Sequence, residues 1–118
     1  MKILFASPDR DLLSAYAILL GNSETEVEKA FDGTFVLTRL EEGHPDLMIL
    51  SNDIPRVDSR KILAFCAGKK IPVILLLDSM PRSAEAVENA SEYLIMPFSP
   101  RELKAVIKKV TDKEGYGT

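Results

Sequence analysis

The sequence predicts an α/β domain: a doubly wound, five-stranded parallel sheet in the order 2-1-3-4-5 with helices on both faces. Three short apolar runs, Ile3 to Ala6, Leu47 to Leu50 and Val73 to Leu77, lack the polar alternation of a strand with one wet face. They read as strands buried on both sides. Segments of helical spacing lie between and after them, so strand and helix alternate. Buried parallel strands need crossovers, crossovers are right-handed, and the result is an open sheet covered on both faces. With 118 residues, 46% of them hydrophobic, the chain is one domain's worth and has enough apolar surface for a core.

The elements follow in order. A strand at 2–6 leads to a helix at 8–20, where Leu12, Leu13, Tyr16, Leu19 and Leu20 have helical spacing and Gly21 stands at the C′ position. Ser7-Pro8 supplies an N-cap and a proline at N1. A weaker strand at 26–30 and a helix at 33–42 come next, ended by Gly43 with His44 as a solvated loop residue. The strand at 46–50 is followed by a helix at 59–67, capped by Asp58 or Ser59. A strand at 72–77, a helix at 82–88, a weaker strand at 92–95 and a helix at 100–111 complete the domain. The last start is the clearest: Ser99-Pro100-Arg101-Glu102 is a capping box with proline at N1, and Phe98 can staple to Leu103. The domain is set at 1–111, with 112–118 as a tail or the start of a linker.

Composition narrows the function. A formal net charge of −3 offers no basic field for phosphate backbones or anionic membranes, so neither nucleic acid nor membrane is expected as a direct partner. Cys66 is the only cysteine, which removes an internal disulfide and any multi-cysteine metal site and suits a reducing, cytoplasmic setting. It lies at apolar spacing in its helix and reads as a small packed hydrophobe. No apolar run approaches the length of a membrane span. No cofactor is expected.

In an open sheet of this order the ligand crevice lies beyond the carboxyl ends of the strands, after Ala6, Leu50, Leu77 and Ile95. The segments Pro45-Asp46-Leu47-Met48-Ile49-Leu50, Pro55-Arg56-Val57-Asp58, Ile71-Pro72-Val73-Ile74 and Tyr93-Leu94-Ile95-Met96-Pro97-Phe98 come in an order that resembles a two-component response-regulator receiver domain over residues 2–110. The resemblance implies a flavodoxin-like, CheY-like fold and a part in signal transduction. It also implies a phosphoryl group accepted by an aspartate at the end of the third strand, with Mg²⁺ held by an acidic pair after the first. A carboxylate nucleophile and a hard oxygen-ligated cation are what that chemistry needs.

Here the pattern is degenerate. The acceptor position matches Ser51 and the acidic pair matches Ser7 and Pro8. The hydroxyl that would hold the phosphoryl oxygen matches Leu77, and the lysine of the phosphorelay site matches Met96. The retained positions are Tyr93, the family's switch aromatic, and Pro97, where the family commonly carries a cis peptide. The expectation is a pseudo-receiver, not an enzyme, that signals without phosphorylation through protein–protein interaction.

Interfaces and alternatives complete the expectation. The partner surface, for a protein partner or a homodimer, is placed on the fourth helix, fifth strand and fifth helix, with Arg82, Glu85, Glu92, Tyr93, Lys104 and Lys108 as its residues. The alternative is a small-ligand or displaced divalent-metal site at Asp9, Asp53 and Asp78 on the carboxyl edge. Against it, Asp9 suits a helix N-terminus and the other two suit turns. The Ser51 hydroxyl has no activating base in reach, because His44 lies at the opposite end of its strand.

Overall fold

Alternation of side chains along the three apolar strands feeds two cores at once. In the computed structural model, which describes residues 1–113, β1 (Lys2–Ala6) sends Leu4 and Ala6 to one face and Ile3 and Phe5 to the other. β3 (Leu47–Ser51) and β4 (Val73–Leu77) do the same, with Met48, Leu50, Val73, Leu75 and Leu77 on the first face and Leu47, Ile49, Ile74 and Leu76 on the second. A period of two with apolar residues at every position buries a strand on both sides.

The first face is closed by α2 (Gly33–Glu42) and α3 (Ser59–Gly68), through Val36, Leu40, Ile62, Leu63 and Cys66. The second is closed by α1 (Arg10–Leu20) and α4 (Pro100–Lys113), through Leu13, Tyr16, Leu20, Leu103, Ile107 and Val110. β2 (Glu26–Ala30) and β5 (Glu92–Ile95) are the edges of a five-stranded parallel sheet in the order β2-β1-β3-β4-β5. The expected fold class is the observed one.

Four local features depart from expectation. α1 begins at Arg10, two residues late, because Asp9 is the N-cap and its carboxylate accepts from the Leu12 N–H at 3.0 Å. Ser7 and Pro8 are therefore left outside the helix. Gly21 ends α1 in extended backbone, φ −72°, with no left-handed turn. Glycine is needed there for space: a Cβ would sit 2.8 Å from the Ala17 carbonyl oxygen. Gly43 is also extended, at φ 176°.

The expected helix at 82–88 is only a 3-10 turn at Ala84–Val87, followed by Asn89 at φ 72°. The segment is too short for a full helical layer over β4 and β5, and asparagine tolerates the left-handed conformation that ends it. The last helix runs to Lys113, so the expected tail begins later than 112 and, beyond Lys113, lies outside the described residues. Its capping box is formed as expected: Ser99 Oγ accepts from the Glu102 N–H at 3.1 Å and Glu102 Oε1 from the Ser99 N–H at 3.2 Å. Among the described residues no helix is long and apolar enough to cross a membrane.

Candidate functional site

The carboxyl ends of β1, β3 and β4 meet where the strand order reverses, and register decides which residues face one another there. Ala6 lies beside Leu50 and Ala30, Ser51 beside Leu76, and Leu77 beside Ile95. Ser7 prolongs β1 by one hydrogen bond, its N–H donating to the Ala30 carbonyl at 3.0 Å. Its hydroxyl is turned to the chain ahead and accepts from the Asp9 N–H at 3.1 Å. Ser7 is buried and Pro8 exposed.

Ser51 closes β3 with 3% of its surface exposed. Its carbonyl accepts from the Ile54 N–H at 3.2 Å, and the next residue, Asn52, donates its N–H to Leu76 at 2.9 Å. Leu77 is buried in the layer beneath α2 and α3, whereas Met96 packs half-buried into the opposite layer. The backbone ties these two together, Met96 N–H to Leu77 carbonyl at 2.8 Å, and the Met96–Pro97 peptide is cis. Five positions that the receiver pattern assigns to phosphoryl chemistry thus offer two hydroxyls, a proline and two apolar side chains.

The β3–α3 loop is fixed by contacts that the sequence reading did not single out. The Gly33 N–H donates to the Pro55 carbonyl at 2.8 Å, Arg56 Nε lies 3.6 Å from Asp32 Oδ2, and Ser59 Oγ lies 3.0 Å from Asn52 Oδ1. A Cβ on Gly33 would meet the Val57 Cβ at 2.6 Å, so the two loops pack backbone against side chain without room between them. Asp58 caps α3, and its hydrogen bonds from the Arg60 side chain and backbone hold its carboxyl below the usual carboxylate range. The available signal was position: Asp32 follows β2 and Asn52 follows β3 almost directly.

Asp9, Asp53 and Asp78 are all exposed, and Asp9 is engaged as a helix cap. Among the described residues no group of three or more His, Cys, Asp or Glu is placed to hold a metal ion. His44 is exposed. Cys66 is buried against Met48, with 3.7 Å between the sulfurs, and burial pushes its thiol up to about 12. The Tyr16 hydroxyl, which donates to the Phe98 carbonyl at 3.4 Å, is also raised, first by desolvation and then by Glu102.

The expected partner surface divides in two. Glu92 and Tyr93 lie half-buried on β5, with Arg82 and Glu85 exposed on the segment before it. On α4, Lys109 reaches this side, 2.8 Å from Glu92. Lys104 and Lys108 instead line a groove with Met1, Thr25 and Ile107, toward the amino edge of the sheet beside the end of α1. The six residues do not share one face.

Comparison with known proteins places this geometry. The chain is 28% identical to the alkaline phosphatase synthesis transcriptional regulatory protein PhoP of Bacillus subtilis, over 92% of this chain and 48% of the relative. It is 30% identical to a probable transcriptional regulator, ycf27, of Galdieria sulphuraria, over 92% of this chain and 44% of the relative. Among solved structures, the response regulator TrrA of Thermotoga maritima, in complex with Mg²⁺-BeF, superposes with a TM-score of 0.81 at 26% identity, covering 92% of this chain and 97% of that one. Relatives and neighbours alike support a response-regulator receiver domain. The receiver fold extends to more distant structures: the chemotaxis response regulator CheY4 of Vibrio cholerae superposes with a TM-score of 0.83 at 21% identity, over 92% of this chain and 97% of that one. No family model matches. This receiver domain spans about half the length of the curated relatives it matches.

Proposed function

We propose that this receiver domain signals without phosphorylation and without catalysis, by binding another protein. The observation that carries the reading is the content of the phosphoryl site: Ser51, Ser7, Pro8, Leu77 and Met96 stand where nucleophile, metal ligands, hydroxyl and cation belong. A serine hydroxyl without a base is a poor nucleophile, and Mg²⁺ beside a phosphoryl group wants charged oxygen ligands. The Ser7 hydroxyl is already engaged by the Asp9 N–H.

The binding surface proposed for a different protein is the β5 side, around Tyr93, Glu92, Arg82 and Glu85. Tyr93 combines apolar area with a polar tip, which suits an interface anchor. The 3-10 turn at Ala84–Val87 covers β5 less than a helix would, so all four β5 residues are only partly buried. Direct binding to nucleic acid is not part of the proposal, because the net charge of −3 repels a phosphate backbone.

The experiment is affinity capture from a lysate of the source cells by the immobilised chain, with and without acetyl phosphate and Mg²⁺, followed by the same capture with Tyr93→Ala. The proposal expects a protein retained equally under both conditions and lost with Tyr93→Ala, with thermal unfolding showing that the variant folds. Capture that depends on acetyl phosphate would overturn the phosphorylation-independent reading. Capture indifferent to Tyr93→Ala would remove the β5 surface.

A further inference from the structure

The β2–α2 loop, Phe31 and Asp32, is held from two sides by side chains far from it in sequence. From the start of α1, the Arg10 guanidinium lies over the Phe31 ring, 3.9 Å from its centroid. From the β3–α3 loop, Arg56 Nε stands 3.6 Å from Asp32 Oδ2. Among the described residues no ion pair engages Arg10, so the ring is what places it. On the Arg56 side the backbones join as well, the Gly33 N–H donating to the Pro55 carbonyl at 2.8 Å.

Arg56 bears the mark of a constraint. Its φ of 76° lies in the left-handed region, which a long side chain enters at a cost. Its neighbours Pro55 and Val57 are the residues against which Gly33 packs, so contacts to the β2–α2 loop hold the strained backbone in place. The same two loops grow out of the strand ends at the carboxyl edge. Ala30, just before Phe31, accepts from the Ser7 N–H at 3.0 Å, and Ile54, just before Pro55, donates to the Ser51 carbonyl at 3.2 Å. The clamps therefore tie together the strand ends that carry Ser7 and Ser51. Both arginines are exposed, and a stacked cation or a surface ion pair is a weak restraint by itself, whereas β3 beneath them is buried on both faces.

We infer that the β2–α2 loop is a lid on the carboxyl edge, clamped by Arg10 and Arg56, and that it opens as one unit, releasing the Ser7 hydrogen bond, while the sheet stays formed. Local opening draws on the contacts of a fold that bury least, and here those are two exposed side chains and a backbone bond between loops. The lid stands at the β2 edge, across the sheet from β5, and the inference holds whether or not the domain accepts a phosphoryl group.

Amide hydrogen exchange followed by NMR tests it. The Gly33 and Ser7 N–H groups report the lid, and the Met48 N–H, which donates to the Pro72 carbonyl at 2.9 Å, reports the sheet. In the parent, Gly33 and Ser7 should share one opening constant, larger than that of Met48. Arg56→Gly accepts the left-handed backbone without strain and so removes the side chain alone, and Arg10→Ala removes the stack. Each should raise the opening of Gly33 and Ser7 about threefold, and the two together about tenfold, with Met48 unchanged. Both positions are exposed, so the variants should unfold at the parent's temperature, which a thermal melt checks. A Gly33 rate that both substitutions leave unmoved would overturn the inference. So would a Met48 rate that rises as much as that of Gly33, a Ser7 N–H that stays protected while Gly33 opens, or a parent in which Gly33 opens no more readily than Met48.

Discussion

Replacing Ser51 by aspartate restores the atom type of a phosphoryl acceptor and nothing else around it. Ser51 is 3% exposed, pairs with Leu76 across the sheet, and has buried Ser7 and Leu77 at the same edge. The position that would supply a cation holds Met96. A carboxylate placed there loses water without gaining a counter-charge, a cost of about 1–3 kcal/mol. Set against a typical domain stability of about 5–15 kcal/mol, that is a lowering of the melting temperature by roughly 4–15 °C. The sign of the pH dependence follows. Burial raises the folded-state pKa of the introduced carboxyl above its unfolded value, so the penalty is absent at low pH, where both states are protonated, and grows as pH rises through the folded-state value. Urea unfolding of Ser51→Asp and the uncharged, nearly isosteric Ser51→Asn, at pH 7 and in mild acid, isolates the charge. The two should differ at pH 7 and converge in acid. Equal stability at pH 7 would refute the reasoning, because it would mean that water or an unrecognised cation reaches the end of β3.

Three further outcomes follow from the packing. Ser99→Ala removes one half of the reciprocal bonds at the start of α4 and should cost about 1 kcal/mol in urea unfolding. Gly33→Ala drives a methyl to 2.6 Å from the Val57 Cβ and should cost about 1–3 kcal/mol, an effect that should be smaller in a Val57→Gly background, where that Cβ is gone. Cys66 should resist alkylation at pH 8 until denaturant is added. Its folded-state value near 12 against an ordinary 9.0 means that its contribution to stability is complete below about pH 9 and lost as pH rises toward 12. The steeper alkaline fall of the parent relative to Cys66→Ala measures that contribution.

What could be read from the sequence depended on whether one local pattern decided the matter. β1, β3 and β4 are apolar at nearly every position, a pattern with few other uses in so short a chain, and their placement and order were legible. So was the start of α4, because proline at N1 and a Ser–Glu pair three apart have a mechanism in common. At α1 two patterns competed: Ser7-Pro8 and Asp9 both serve as starts, and Asp9 prevails with a carboxylate that accepts from Leu12. The segment before β5 had helical composition, and its shortness by about one helical turn between Leu77 and Asn89 was legible, but not that what remains would be a single 3-10 turn at Ala84–Val87.

The candidate site was legible as a set of positions, since strand ends mark it, whereas its contacts were not. Nothing adjacent in sequence joins Asp32 to Arg56 or Gly33 to Val57; the parallel sheet brings those loops together. The residues expected at the interface do not all lie together, for a different reason. Charges on α4 were counted together, but at about 100° per residue Lys108 and Lys109 point to different flanks, and it is Lys109 that reaches Glu92.

The proposed loss of phosphoryl chemistry is open to one decisive measurement: intact mass of the chain after incubation with acetyl phosphate and Mg²⁺, alongside a phosphorylatable receiver as positive control. The empty set of carboxylates at Ser7, Pro8 and Ser51 predicts an unchanged mass while the control gains one phosphoryl group. A stoichiometric phosphoryl adduct on any residue of this chain, acid-stable or base-labile, would contradict it.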